Sequence, residues 1–211
     1  MFRRIQNFFL GTRCNHKMDL LNKPYVAHLG ELSLKEMLQY SFSGKYIFHG
    51  SPAKLVPGKD FIMPGFHRHS DYCVYAGGID IALRFALVRA YGIDQYGGTD
   101  FYVYCTQRYK LVIYDANSLG EDWFKQTVDK DTFVYAVLSD GIELDEVHST
   151  DMPLRVAGRT KINPQELTDA GFLFVPDSDF STERWWGIRN TDENITQYVL
   201  KAYPWLCKRQ R

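Results

Sequence analysis

This 211-residue sequence lacks several features that would define a compartment or a partner. It has no run of about 18 apolar residues, so we expect no transmembrane helix and no integral membrane association. Its four cysteines form no CxxC pair and do not suggest a disulfide framework, which favours a reducing cytoplasm. Lys plus Arg and Asp plus Glu are both 25, so no overall basic field indicates nucleic acid.

Most of the short catalytic motifs are also missing. The sequence contains no GxxxxGK[ST], no GxGxxG after a strand, no HExxH and no GxSxG. The segment "HRHSDYC" carries His67, His69, Asp71 and Cys73, but its spacing matches none of the familiar zinc frameworks. We therefore predict a polar surface loop there and no metal site.

The sequence has enough apolar residues for a substantial core, with 45% hydrophobic and 15% aromatic residues. "SLKE" at 33–36 has the spacing of a capping box and predicts a short helix. "KYIFH" predicts a buried strand that ends at His49, and "DYCVYAGG" a second strand stopped by Gly77. Asp80 is then a candidate cap for a largely buried helix, "IALRFALVRAYG".

In the later part of the sequence, the predicted strands and helices do not alternate regularly. "DFYVYC", "YKLVIY", "TFVYAVL" and "LRVAGRT" predict strands, with helices near "EDWFKQTV", "PQELTDAG" and "ITQYVLKAYPWL". This mixed order favours an α+β fold over a doubly wound sheet. We expect an N-terminal arm and helix at 1–44, a core at 45–165 and a C-terminal extension packed on the core at 166–211.

Three stretches of the sequence share a pattern with a known family: "FHGSPAKLVPGKDFIMPG" from Phe48, "VYAGGIDIALRFAL" from Val74 and "PLRVAG" at Pro153 to Gly158. Together they resemble the ADP-ribosyltransferases that use a His, Tyr and acidic triad, most closely the rifamycin ADP-ribosyltransferases. The resemblance covers roughly residues 45 to 165. It implies an ADP-ribosyltransferase-like fold with a split, mostly antiparallel β core and flanking helices.

The resemblance also implies a binding site for NAD, which serves as co-substrate. In such a site His49 hydrogen-bonds a ribose hydroxyl, the Gly50 backbone holds the carboxamide, and Ser51 supports that edge. Tyr75 stacks on the nicotinamide, with Tyr72 as the alternative, while Phe85 closes the other side. Glycine at 50 is expected to let the ligand approach the main chain.

The acidic member has more than one candidate. In the rifamycin enzymes it is an Asp soon after the strand that corresponds to "FYVYC", which here indicates Asp115 and makes it the first choice from the sequence. In other branches it is a Glu on a later strand, which indicates Glu146 or Glu143. Such a carboxylate steadies the positive charge that develops as the nicotinamide-ribose bond breaks, or orients the acceptor nucleophile.

The function implied is mono-ADP-ribosyl transfer from NAD to an acceptor, a glycosyltransferase reaction. The residues outside 45–165 could supply a surface for a macromolecule, so a protein or nucleic acid is favoured over a small molecule. An NAD glycohydrolase, a rifamycin-type enzyme acting on a small molecule, and a non-catalytic binding module of the same fold are the alternatives.

Overall fold

The fold is mixed α+β with mostly antiparallel sheets, which confirms the predicted class. The computed structural model describes residues 28–66, 72–92, 100–126, 130–140, 142, 149–177, 197 and 199–205. The helices described there include α1 (Leu34–Ser41), α2 (Ile79–Ala90), α3 (Ala116–Leu119) and α4 (Pro164–Asp169), with a 3₁₀ turn at Trp123–Lys125. Among the described helices, none is long and apolar enough to cross a membrane.

Eleven strands are assigned in the described residues, and they form three sheets. They are β1 (Gly30–Glu31), β2 (Tyr46–Ser51), β3 (Phe61–Ile62), β4 (Gly65–Phe66), β5 (Tyr72–Tyr75), β6 (Phe101–Cys105), β7 (Lys110–Tyr114), β8 (Thr132–Leu138), β9 (Ser149–Thr150), β10 (Leu154–Ile162) and β11 (Leu173–Pro176). The largest sheet has the order β1-β10-β8-β2, and β3 also pairs with β10. The other two have the orders β11-β7-β6 and β4-β5-β9.

Helix α1 begins at the predicted capping box. The Glu36 backbone N–H donates to Ser33 Oγ, and Glu36 Oε2 accepts from the Ser33 backbone N–H at 2.8 Å. The hydrogen bond from the Ser33 side chain lowers the pKa of Glu36. Glu166 of α4 also accepts from the Leu34 N–H at 2.9 Å, so the first turn of α1 is joined to α4.

Helix α2 begins earlier than the sequence predicts. We expected Asp80 to cap it, but Gly78 occupies the N-cap position and Asp80 lies in the first turn. Ile79 is 4% exposed and packs in the main core, so its burial within the helix explains the earlier start. Asp80 instead places negative charge near the positive end of the helix dipole.

Strand β2 runs two residues past the predicted end, because its pairing with β8 continues to Ser51 opposite Phe133. The strands predicted at "DFYVYC", "YKLVIY", "TFVYAVL" and "LRVAGRT" are confirmed as β6, β7, β8 and β10, and the helix at "PQELTDAG" as α4. The helix predicted near "EDWFKQTV" is only a 3₁₀ turn, whose Trp123 is buried in an aromatic cluster.

The two faces of the largest sheet have different neighbours, because side chains alternate along each strand. One face, with Phe48, Val134 and Ala136, packs in the same core as α1 and α2. The opposite face carries Ile47 and Tyr135, which pack with residues of β3, β5 and β10. His49 and Ser51 alternate with Phe48, so they belong to this second face, which we call the His49 face.

Both ends of the described chain join the central sheets. Strand β1 pairs in parallel with β10, and β11 pairs in parallel with β7. Residues 199–202 are helical, and Val199 and Tyr203 pack in a cluster with residues of β6, β7 and β11.

Candidate functional site

The first two stretches that carry the family resemblance lie side by side. Phe48 of β2 and Gly77 exchange two backbone hydrogen bonds, with N–O distances of 2.8 and 3.0 Å. Residues that exchange both bonds point their N–H and C=O groups at each other. Phe48 therefore uses the edge of β2 that faces away from β8.

The third stretch joins the loop that follows β2. The Gly58 N–H donates to Val156 O at 2.8 Å, and the Val156 N–H donates to Asp60 O at 3.1 Å. Strand β3 then pairs with the start of β10, with Phe61 opposite Arg155. The three stretches, which are up to about one hundred residues apart in the chain, thus form one continuous region around His49.

His49 is oriented by the main chain of the neighbouring strand. Its Nδ1 lies 2.7 Å from the carbonyl oxygen of Tyr75, and the contact is partly buried. A carbonyl oxygen only accepts, so Nδ1 carries the hydrogen. In the neutral imidazole, Nε2 then holds the lone pair and can accept a hydrogen bond from a hydroxyl group.

Gly50 has a structural reason to be glycine. A Cβ at this position would lie 2.2 Å from Ala82 O and 2.8 Å from Ala86 N, both backbone atoms of α2. The close approach that Gly50 permits is therefore that of helix α2. Its N–H and C=O point to the same edge of β2 as those of Phe48, because backbone groups two residues apart share a direction along a strand.

Ser51 ends β2 and begins the loop. Its Oγ accepts a hydrogen bond from the Ala53 N–H at 3.2 Å, a local bond of the kind that turns a chain. Ser51 is opposite Phe133 in the register and lies on the His49 face. The role of Ser51 beside the nicotinamide stays a prediction.

Tyr75 ends β5 between two buried residues. Val74 is 2% exposed and Ala76 is 1% exposed, whereas Tyr75 is half-buried. The strand alternation therefore turns its side chain away from the core that Val74 and Ala76 enter. The side chain of Tyr72, the alternative candidate, lies outside the described part of the chain.

Phe85 lies on α2 and is 38% exposed. Helix α2 packs on the face of β2 that carries Phe48 and Gly50, whereas His49 belongs to the other face. The contact between Phe85 and nicotinamide stays a prediction.

Asp115 acts as the cap of α3. Its Oδ1 accepts from the Asn117 N–H and its Oδ2 from Ser118 Oγ, both at 2.8 Å. The hydrogen bond from Ser118 lowers the pKa of this carboxyl. The stabilisation that ionised Asp115 gives the fold is therefore present above the ordinary carboxyl pKa and is lost as the pH falls through the lowered pKa of Asp115. Asp115 follows β7, which belongs to a different sheet from His49.

Glu143 and Glu146, the other acidic candidates, lie outside the described residues. In the sequence they fall between Ser139, whose N–H donates to Lys45 O at 3.0 Å, and Ser149, which pairs with Tyr75. The segment that holds them therefore connects the strand beside His49 to the strand beside Tyr75. Asp115 has no such connection in the chain.

The zinc candidates are only partly described. His67, His69 and Asp71 lie outside the described residues, while Cys73 is buried in β5. Within the described ranges, no group of three His, Cys, Asp or Glu side chains is placed to hold a metal ion.

Two residues of the His49 face were not identified from the sequence. Tyr135 is directly opposite His49 in the register, and Arg159 is directly opposite Tyr135 on the next strand. Both are buried, at 0% and 9% exposed. An arginine inside a mostly apolar strand was the available signal, because buried charges need specific partners.

Comparison with other proteins adds no relative. No protein-family model matches this sequence, and no curated protein or solved structure gives a significant match. The family resemblance therefore depends on the three stretches themselves.

Proposed function

We infer that this protein is an NAD-dependent mono-ADP-ribosyltransferase with an ADP-ribosyltransferase-like core. It cleaves the nicotinamide-ribose bond of NAD and transfers ADP-ribose to an acceptor. The observation that carries this inference is the contact between His49 Nδ1 and Tyr75 O, at 2.7 Å. It joins the two residues that the family resemblance pairs in one site, although they are 26 positions apart in the chain.

The orientation of His49 supports its role toward ribose. With Nδ1 donating to the Tyr75 carbonyl, Nε2 accepts a hydrogen bond from a ribose hydroxyl. The main-chain bond holds the ring before the ligand arrives, so less orientational freedom is lost on binding.

The backbone of Gly50 supports recognition of the nicotinamide carboxamide. A carboxamide offers one acceptor oxygen and an NH₂ donor group, which complement the N–H and C=O of one residue. Those two groups of Gly50 point to the edge of β2 away from β8. Tyr75 at the neighbouring strand end supplies an aromatic ring for stacking on the planar nicotinamide.

Glu146 is the acidic residue that we favour, with Glu143 next to it in the same segment. The support is the connection of this segment to Ser149, the strand partner of Tyr75. The observed hydrogen bonds of Asp115 are those of a helix cap, which already explain an aspartate at that position.

The proposed reaction replaces one bond to the ribose anomeric carbon by another. Nicotinamide leaves with the electron pair of the broken carbon-nitrogen bond, and the acceptor nucleophile supplies the pair for the new bond. The proton lost by the nucleophile passes to the carboxylate or to solvent. The carboxylate also stabilises the positive charge on the ribose in the transition state.

The acceptor is tested by following two parts of NAD at once. Purified protein is incubated with NAD labelled in the ADP-ribose part, with and without cell extract, and free nicotinamide is measured beside the label. Nicotinamide release with label on a specific protein or nucleic acid supports the transferase. Release with all of the label in free ADP-ribose identifies a glycohydrolase. No release in any mixture contradicts an enzymatic role and leaves a binding module.

A further inference from the structure

The loop after β2 is held by two side chains of the neighbouring strands. We call residues 52–60 the 52–60 loop. The Tyr135 hydroxyl donates to Ala53 O and accepts from the Leu55 N–H at 3.0 Å. Arg159 Nη1 donates to Leu55 O at 2.9 Å. Leu55 thus has both backbone polar groups bonded to side chains that are about 80 and 104 positions away in the chain.

Further hydrogen bonds stabilise the 52–60 loop. The Val56 N–H donates to Asp60 Oδ2 at 2.7 Å, within the loop itself. The Gly58 N–H bonds to the backbone of β10, and His28 Nε2 lies 3.1 Å from Pro57 O. The 52–60 loop is therefore bonded both within itself and to residues outside it.

Tyr135 and Arg159 are themselves held in place. Arg159 forms an ion pair with Glu31, and its guanidinium lies over the Phe133 ring at 5.4 Å. Tyr135 packs in the core with the residues of β3, β5 and β10. Desolvation by this burial raises the pKa of Tyr135, so its hydroxyl stays protonated and can donate at neutral pH.

The same two residues are linked to His49 by the sheet. Tyr135 is the cross-strand partner of His49, and Arg159 is the partner of Tyr135. All three lie on the His49 face, so the row of residues that includes the histidine also holds the loop that follows it. The burial of Tyr135 and Arg159 keeps them from direct contact with a ligand.

We propose that Tyr135 and Arg159 are positioning residues that fix the 52–60 loop as one wall of the NAD site. The inference rests on the proposed function. The loop starts directly after Ser51 and is held against the His49 face, so its conformation determines how much of the donor the site can enclose. A loop ordered before binding spares the ligand the cost of ordering it.

The experiment compares Tyr135→Phe with Tyr91→Phe in nicotinamide release. Tyr91 is a matched control, since its hydroxyl also donates to a backbone carbonyl, that of Phe124 at 2.7 Å, and it lies at the C-terminal end of α2. We expect Tyr135→Phe to raise the KM for NAD by about 5- to 30-fold, because two backbone groups of the loop lose their partner. We expect kcat to change less than about threefold, and Tyr91→Phe to keep both constants within about twofold.

A second measurement does not depend on turnover. Hydrogen exchange at the Leu55 amide is expected to speed up in Tyr135→Phe and to stay unchanged in Tyr91→Phe. If Tyr135→Phe does not fold, Arg159→Lys takes its place, because lysine keeps the charge toward Glu31 but lacks the planar fork that also reaches Leu55 O.

The outcomes separate this inference from the proposed function. Faster exchange at Leu55 with a raised KM supports the positioning role. Wild-type turnover with an unchanged KM in the variant contradicts the positioning role alone. Absence of nicotinamide release by the wild-type protein contradicts the proposed function and the positioning role with it.

Discussion

The imidazole of His49 is bonded to the main chain of Tyr75, with 2.7 Å between Nδ1 and the carbonyl oxygen. Replacing the side chain at position 75 therefore leaves the partner of His49 in place. The orientation of the histidine and the stacking of the tyrosine can be tested independently.

The tautomer of His49 is the first prediction. The contact with a carbonyl oxygen requires hydrogen on Nδ1, so the neutral ring should be the Nδ1–H form. Nitrogen-15 NMR of labelled protein above the titration of the histidine should show a protonated Nδ1 and an unprotonated Nε2. A neutral ring with hydrogen on Nε2 would contradict the role assigned to Nε2 as an acceptor.

Tyr75 should act through its ring. Tyr75→Ala removes the stacking surface, and we expect the dissociation constant for NAD to rise about 2- to 12-fold, which corresponds to about 0.5–1.5 kcal/mol of aromatic contact. Tyr75→Phe keeps the ring and should stay within about twofold of wild type. Calorimetric titration with NAD measures both variants. Equal losses in the two would show that the hydroxyl, and not the ring, carries the interaction.

Gly50 should be intolerant of any side chain for reasons of packing. Gly50→Ala places a Cβ 2.2 Å from Ala82 O, so α2 and β2 must separate. We expect the free energy of unfolding to fall by about 3 kcal/mol, which should lower the melting temperature by about 6–12 °C. The control is Gly65→Ala, since a Cβ at Gly65 meets nothing within 4 Å. Similar melting temperatures for the two variants would contradict the packing described for α2.

Glu146 and Asp115 predict opposite results as the acidic residue. Glu146→Gln should lower kcat for nicotinamide release by about 100-fold or more, because the charge that stabilises the transition state is lost. Asp115→Asn should keep turnover within about threefold, since asparagine also caps a helix. A single-turnover assay compares them. Loss of turnover in Asp115→Asn alone would move the acidic role to Asp115.

The strands and the helix of the site could be predicted from the sequence better than the way in which they pair and pack with one another. Strand β2, strand β5 and helix α2 could all be identified from local patterns, since a strand before glycine and a helix after it depend on neighbouring residues. The pairing of β2 with β8 could not, because register is a long-range property of strands far apart in the chain. The position of Tyr135 opposite His49 could therefore not be predicted from the sequence.

Glycine and aspartate illustrate the same limit. The sequence predicts that Gly50 lets a ligand approach the main chain, but it does not show that the missing Cβ also makes room for the backbone of α2. Asp80 was expected to cap α2, but Ile79 is buried as part of the helix, so the helix begins two residues earlier, with Gly78 as its N-cap. In both cases tertiary packing decides between local choices that the sequence leaves equal.

Nicotinamide release from NAD by the wild-type protein and by His49→Ala is the most direct test of the proposed site. Thermal melting should first show that both proteins are folded. We expect release by the wild-type protein and a rate at least about 100-fold lower for His49→Ala, because the ribose loses the group that orients it. Equal rates in the two proteins, or no release by the wild-type protein with any acceptor, would contradict the assignment of His49 to an NAD site.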